Sequence, residues 1–314
     1  MMKALLGGIG IGLVFLIFWL VLLSTGREIG GDKREPSTEQ VTATSGLPQL
    51  VHAIDLSGPF SFAGKELPLD NFDVRERLDL ELMRNAYFHR NTLLLLKRQP
   101  RYFPTIERIL REEGVPDDLK YLAAAESTLT EAVSPAGAKG VWQFMAPTGR
   151  AFGLRIDAEV DERFHLEKST RAAAAYLKDY YRQFGDWHKV AAAYNMGGPN
   201  LSKWLERQRA EELYDLDINA ETMQYLFRIV ALKSIMEDPA AFGYHLEAGQ
   251  TYPGLDDYRT VVVDTTITNL GDFALRQGTT YRLLKRYNPW LITGQLTVPA
   301  GTTMEIRIPN GANR

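Results

Sequence analysis

The chain has 314 residues, 36 Lys plus Arg against 39 Asp plus Glu, a formal net charge of -3, and no cysteine. That charge balance gives no footing for nucleic acid as a partner, and the missing thiols exclude disulfides, thiol nucleophiles, Cys-ligated metal sites and a lipid-modified N-terminal cysteine. A hydrophobic fraction of 45% with 11% aromatics is enough for a sizeable core, and the length accommodates one medium-sized domain and one small one.

The stretch ALLGGIGIGLVFLIFWLVLL, residues 4–23, carries no charge. As a helix it is long enough to cross a bilayer core of about 30 Å. Residues 1–26 are therefore read as an N-terminal membrane anchor. A cleaved signal peptide is the other reading, although its apolar region usually runs only about 7 to 15 residues. Residues 27–72 follow as tether and lead-in, opening on a segment rich in Gly, Ser, Thr and charge.

Helical periodicity begins near Asp73 in RERLDLELMRNAYFHRNTLLLLKRQ and is expected to end before Pro100. The next helix is PTIERILREEG, with Pro104 in its first turn and Gly114 closing it. Another runs from Pro116 and Asp117 through DLKYLAAAES. STRAAAAYLKDYYRQFG is expected to be capped by Ser169 and closed by Gly185. DWHKVAAAYNMGG is expected to be capped by Asp186 and stopped by Gly197 and Gly198. Residues 219–238 form a long amphipathic helix ended by Pro239, and strand-like segments are scarce before residue 258. After Tyr258 the order becomes strand, helix, helix, strand: VVVDTTIT, NLGDFALRQG, TYRLLKRYN and LTVPAGTTMEIRIP. The pattern predicts a mainly α domain over residues 73–250 and a small, separate α+β module of βααβ order over residues 255–314.

One acidic residue invites a chemical reading. Leu119, Leu122 and Glu126 recur at i, i+3 and i+7, so the Glu126 carboxyl shares a helix face with leucines. Burial against apolar groups raises a carboxyl pKa and suits it to general acid work near neutral pH. An outward-turned helix-end glutamate is the plainer alternative. Downstream, Ser134, Pro135, Gly137 and Gly140 permit a tight reversal that can carry Gln143 and Met145 back toward Glu126, with Trp142 and Phe144 as core anchors.

The ordered set ES, S-x-x-GAKG-x-WQFM, TG-x-x-x-GL and AAAYNMGG resembles the lytic murein transglycosylases of the soluble-transglycosylase superfamily, which are glycoside hydrolase family 23-like. Within that superfamily the chain resembles the membrane-bound lytic transglycosylase D subgroup. RQPRYFPTIERILREEGVPDDLKYLAAAES and VDER with ST-x-AA-x-YL extend the likeness over roughly residues 73 to 240. The resemblance implies a lysozyme-like fold for the α domain and a catalytic role for Glu126, first as acid and then as base. It places Ser134, Gln143, Met145, Tyr194, Asn195 and Glu221 at substrate-binding positions. Helical spacing with Trp187, Val190 and Ala191 also fits Tyr194 as a core residue. Glu221 fits a carboxylate favoured by a helix N-terminus equally well. The stretch NMGGPNL departs from many relatives at Met196 and in its Gly/Pro order.

Between residues 132 and 156 there is no Asp or Glu, although glycoside hydrolysis usually takes two carboxylates. The resemblance supplies a reaction that needs one: cleavage of the β-1,4 bond after N-acetylmuramic acid in peptidoglycan, with the muramyl C6 hydroxyl closing a 1,6-anhydro ring and no metal or cofactor. It also implies an anchored enzyme whose catalytic domain lies in the periplasm. FALRQGTTYRLLKRYNP and LTVPAGTTMEIRIP resemble a LysM domain, a peptidoglycan-binding fold, with DTTITN in place of the usual opening Gly-Asp turn. Peptidoglycan glycan strands and the cytoplasmic membrane are thus the implied partners. Two other functions stay open: a muramidase using Glu221 or Glu131 as second carboxylate, and a non-catalytic glycan-binding envelope anchor.

Overall fold

The computed structural model describes residues 53–310. The expected anchor and most of the expected tether lie outside the described residues. Among the described residues no helix is long and apolar enough to cross a membrane.

The first element is a small hairpin that the sequence pattern did not announce, β1 (Ser61–Phe62) paired antiparallel with β2 (Lys65–Glu66). Its two-residue turn has positive φ at both Ala63 and Gly64, the geometry tight hairpins favour. Phe62 is fully buried, and the Lys65 ammonium bonds Asp186 at 2.7 Å and Glu212 at 2.9 Å. The hairpin therefore belongs to the same core as the helices that follow.

Helix α1 (Phe72–Tyr87) is capped by Asn71, whose side chain accepts the Asp73 N–H. Helix α2 (His89–Glu112) corrects the expected boundaries, because the chain breaks at Phe88 and then stays helical through both Pro100 and Pro104. The two prolines lie four residues apart on the exposed side of α2. Neither proline can donate an N–H to the turn before it, and both rings face the exposed side. The opposite face buries Leu95, Leu96, Phe103, Ile106 and Leu110, and that packing holds the helix continuous. Gly114, at φ 68, closes it as expected.

A 3₁₀ turn at Asp117–Leu119 leads into α3 (Lys120–Ser127), and a long loop leads to α4 (Ala146–Ala151). Helix α5 (Leu166–Phe184) starts three residues before the expected cap. Ser169 is buried inside its first turn and donates to the Leu166 carbonyl, while Gly185 closes the helix at φ 65. Asp186 caps α6 (Trp187–Met196), accepting from the N–H groups of His188 and Lys189. Gly197 ends α6, but Gly198 opens α7 (Gly198–Gln208) instead of stopping the chain. A Cβ at Gly198 would lie 2.5 Å from the Tyr180 ring, and only glycine allows its N–H to reach the Tyr180 hydroxyl at 3.0 Å.

Helix α8 (Ala220–Glu237) stops just before Pro239 as expected, and it is buried on more sides than the expected amphipathic pattern implies. Tyr225, Leu226, Phe227, Ile229, Val230 and Leu232 are all buried, since α8 runs between α1, α3 and α6. Each such side chain contributes roughly 1.5–3 kcal/mol by leaving water. A helix buried on most sides keeps only a narrow polar strip, here Glu221, Gln224 and Arg228.

The C-terminal module has the expected βααβ order: β3 (Tyr258–Val263), α9 (Leu270–Arg276), α10 (Tyr281–Tyr287) and β4 (Met304–Pro309). The strands pair antiparallel, with Tyr258 opposite Pro309 and Val263 opposite Met304. Asn269 and Thr280 cap the two helices. Leu270, Phe273, Leu284, Leu296, Ile306 and Ile308 form its core, together with the buried Val160 and the partly buried Phe164 from outside the module. The module is therefore not separate, because it shares a fully buried side chain with the larger domain.

His188 gives the fold a pH signature. It is buried, its Nε2 donates to the Phe62 carbonyl at 3.0 Å, and its Nδ1 accepts from the Tyr214 hydroxyl at 2.5 Å, so the ring is neutral. Burial lowers its pKa below the ordinary 6.5. The unfolded chain then binds the proton more readily, and stability present above 6.5 is lost as pH falls. The melting temperature should fall between about pH 7 and about pH 5, more steeply than in His188→Gln. Parallel slopes in a thermal melt series would show that another group is responsible.

Candidate active site

Glu126 sits one residue from the end of α3, on the face shared with the fully buried Leu119 and Leu122. Its Oε1 accepts from the Tyr225 hydroxyl at 2.5 Å. Burial pushes the Glu126 carboxyl above its ordinary value; the Tyr225 bond opposes this, the Glu221 charge reinforces it, and Arg228 opposes it. The plainer alternative of an outward-turned helix-end carboxylate is excluded. Three of these neighbours come from α8, where Glu221, Tyr225 and Arg228 recur at i, i+4 and i+7 along one face. Arg228 is held in turn by the buried Glu81, at 3.5 Å.

The backbone just after Glu126 is strained. Thr128 and Leu129 are consecutive non-glycine residues with φ of 50 and 52, and Leu129 is fully buried. Arg98 of α2 donates to the Thr128 carbonyl at 3.0 Å and holds that turn. Left-handed geometry ends α3 within two residues of the carboxylate, and the chain turns directly into the 130–145 loop.

That loop makes the tight reversal expected from its glycines. Ser134 N–H donates to the Ala138 carbonyl at 2.9 Å, the Ser134 hydroxyl accepts the Ala138 N–H at 3.0 Å, and Lys139 bridges both Val133 and Phe144. Gln143 stands at φ 50 with its Nε2 donating to the carbonyls of Ala132 and Gly140. Both amide hydrogens are used inside the loop, so Oε1 is the atom left to meet a ligand. Met145 is 44% exposed at the start of α4. Trp142 and Phe144 are buried as expected of core anchors, and the Trp142 indole donates to Thr170 at 2.9 Å.

Tyr194 of α6 donates to the Trp142 carbonyl at 2.7 Å and packs against Phe144 and Tyr176. Burial, and then the charge of Glu126, push its hydroxyl well above the ordinary tyrosine value. The core position suggested by helical spacing and the position beside the acid are thus one and the same. The Asn195 Oδ1 accepts from the Thr222 hydroxyl at 2.8 Å, which ties α6 to the first turn of α8 beside the exposed Glu221. Glu126, Tyr194, Asn195, Glu221 and Tyr225 therefore gather around the α3, α6 and α8 contacts. Gln143 joins them through the Trp142 carbonyl, while Ser134 and Met145 belong to the outer part of the loop.

Sequence reasoning missed Tyr225, Arg228, Arg98 and Arg163. Tyr225 stands four residues after Glu221 in ETMQY, a helical spacing that would have placed both on one face. Arg163 carries no local signal of its role. Its guanidinium is buried, its Nη1 donates to the carbonyls of Gly137 and Phe144 at 3.0 Å each, and it is paired with the buried Asp161. Glu131 is turned away from Glu126's neighbours and meets Tyr102 at 3.2 Å and Arg286 of the C-terminal module at 3.7 Å.

A carboxyl with a raised pKa, a tyrosine donor and a glycine-pinned loop make an arrangement suited to general acid chemistry. Residues 103–216 match the family described as Transglycosylase SLT domain, and residues 259–312 match the Soluble lytic transglycosylase C-terminal LysM-like domain. The chain carries both domains, an SLT transglycosylase domain followed by a LysM-like domain. It is 30% identical over 196 residues to membrane-bound lytic murein transglycosylase D of Escherichia coli strain K12, covering 60% of this chain. The chain spans 42% of that relative's length. Solved structures with a partial likeness are the 70 kDa soluble lytic transglycosylase of Escherichia coli and an inactive mutant of lytic transglycosylase Slt from Pseudomonas aeruginosa. The first has a TM-score of 0.39 and 18% identity over 59% of this chain and 37% of its own. The second has a TM-score of 0.35 and 23% identity over 48% of this chain and 26% of its own.

The two opposing influences on Glu126 predict opposite shifts. Tyr225→Phe removes the donor that stabilises the carboxylate, so the Glu126 pKa rises further. Glu221→Gln removes a repelling charge, so it falls. NMR titration of labelled glutamate carboxyls reads both, and shifts of the same sign in the two variants would contradict this arrangement.

Proposed function

We propose that the chain is a peptidoglycan lytic transglycosylase that cleaves the β-1,4 bond between N-acetylmuramic acid and N-acetylglucosamine. The observation that carries this reading is the Glu126 carboxyl, bonded to Tyr225, raised in pKa by burial and followed by a loop without Asp or Glu between residues 132 and 156. Of the alternative partners, Glu131 is engaged by Tyr102 and Arg286, and Glu221 is exposed in the first turn of α8.

In this mechanism the Glu126 carboxyl gives its proton to the glycosidic oxygen as the bond from muramyl C1 breaks. Positive charge spreads over C1 and the ring oxygen, and the Glu126 carboxylate left behind faces it. The muramyl C6 hydroxyl then attacks C1 and returns its proton to Glu126, so a 1,6-anhydro ring closes and no water is consumed. Tyr225 holds the carboxyl oriented through both steps. Gln143, through its free Oε1, accepts a hydrogen bond from sugar hydroxyl or amide groups. Ser134, Met145, Asn195 and Tyr194 shape the remaining subsites.

The module's surface supports glycan binding. A groove of about 580 Å³ is lined by Asn269, Gly271, Tyr281, Thr293, Gly294 and Gln295. Tyr281 is 43% exposed and offers an aromatic face, and the surrounding amide and hydroxyl groups suit an uncharged sugar such as N-acetylglucosamine. The curated relative is described as membrane-bound. We place this enzyme in the bacterial envelope with its catalytic domain on the periplasmic side, where murein lies.

Glu126→Gln keeps the shape of the side chain and removes the proton. It should lower murein cleavage by at least about a thousandfold with the melting temperature nearly unchanged. Activity within a few-fold of wild type would sink the assignment. Mass spectrometry of the released muropeptides should find ends lighter by one water and inert to borohydride. Reducible ends as the main product, abolished by Glu221→Gln, would identify a muramidase, and binding to sacculi without release would identify a glycan-binding anchor.

A further inference from the structure

Segment 155–163 lies between the LysM-like module and the substrate loop, and it touches both. On the module side Val160 is fully buried in the module's own core. The Ile292 N–H donates to the Glu159 carbonyl at 2.9 Å, and the Asp161 N–H donates to the Trp290 carbonyl at 2.9 Å. The Glu159 carboxylate accepts from Gln295 at 2.5 Å and from the Thr297 N–H at 2.6 Å. On the cleft side, Asp161 takes the Arg163 guanidinium through two bonds of 2.8 and 2.7 Å and meets Lys139 at 3.3 Å. Arg163 then grips the loop at the Gly137 and Phe144 carbonyls, and Gly140 packs so closely that a Cβ there would sit 1.9 Å from the Arg163 carbonyl oxygen.

We propose that the LysM-like module positions the substrate loop as well as binding glycan. It holds segment 155–163 from behind, and that segment fixes the Asp161–Arg163 pair that clamps Gly137 and Phe144 on either side of Gln143. Arg163 and Asp161 are positioning residues in this arrangement and touch no substrate. Their pair is almost fully buried, and a buried bidentate pair has a narrow set of geometries, so its value lies in directing the loop more than in added stability. The short contact at Gly140 leaves the loop no room to settle elsewhere on the segment. A module that served only as a tether would need none of these main-chain bonds. The inference rests on the lytic transglycosylase reading for its effect on turnover, but not for its effect on the loop.

The full chain bearing Glu159→Ala and Val160→Ala loosens the module without touching the loop or Glu126. Hydrogen exchange at the amides of Gly140, Gln143 and Phe144 should quicken by at least about tenfold, while the amides of α8 keep their protection. On soluble glycans too short to reach the module, kcat should fall by at least about tenfold with KM within about threefold. Arg163→Lys keeps the charge and loses the fork, and should reproduce that kcat loss with binding to sacculi intact. Should the double variant fail to fold, Glu159→Gln makes the milder cut and carries the same expectations at smaller size. Loop exchange unchanged when the module is loosened would overturn the proposal, and so would a loss confined to sacculus binding. If the wild type cleaves no glycan yet the loop still loosens, the positioning role stands and the proposed reaction falls.

Discussion

The site depends on drawing one carboxyl group partly out of water. Removing Glu126 from solvent is unfavourable for its charged form, and the surrounding residues limit that cost without cancelling it. Leucines at 119 and 122 dry one side, the Tyr225 hydroxyl satisfies Oε1, and Arg228 supplies positive charge while Glu221 adds negative charge. The result is a carboxyl whose pKa stands above its ordinary value. Helix α8 makes this possible, because a helix buried between α1, α3 and α6 can aim Glu221, Tyr225 and Arg228 at one point with little freedom.

Around that carboxyl the backbone departs from ordinary geometry. Thr128, Leu129 and Gln143 all adopt left-handed conformations without being glycine. Thr128 and Gln143 are each held by specific bonds, the Thr128 carbonyl accepting from Arg98 and the Gln143 amide donating twice within its own loop, while Leu129 is held by burial. Strain of about 1–3 kcal/mol per residue persists only where the surroundings over-determine the position. Here the over-determination comes from α2 on one side and from Arg163 on the other.

The two domains are joined close to that loop. The C-terminal module completes its core with Val160, and the chain leading from that residue reaches Arg163 within three positions. Tyr252 and Pro253, just before the module, are bonded to Lys97 and Arg101 of α2. Arg286 of the module meets Glu131 beyond the end of α3. The module is thus attached at both edges of the loop that follows Glu126, and motion between the two parts is restricted where the chemistry is proposed to occur.

Much of this was legible in the residues. Leucine spacing placed Glu126 on an apolar face, the glycines of the 134–140 segment announced a reversal, Asp186 and Gly185 marked helix ends, and the βααβ order of the module followed from its β-branched runs. These features are local, set by side-chain periodicity and by which residues tolerate a cap or a positive φ. What stayed hidden was long-range. Two prolines did not end α2 because burial of its opposite face outweighed their missing donors. Ser169 lost its capping role once buried inside α5, and three neighbours covered most of α8. Tyr225 lies 99 residues from Glu126 and Arg163 lies 19 from Phe144. Sequence alone determined which side chains were available and on which faces they stood. Tertiary packing decided which of them met, because a hydrogen bond needs atoms within about 3 Å and no pattern along the chain specifies that closeness.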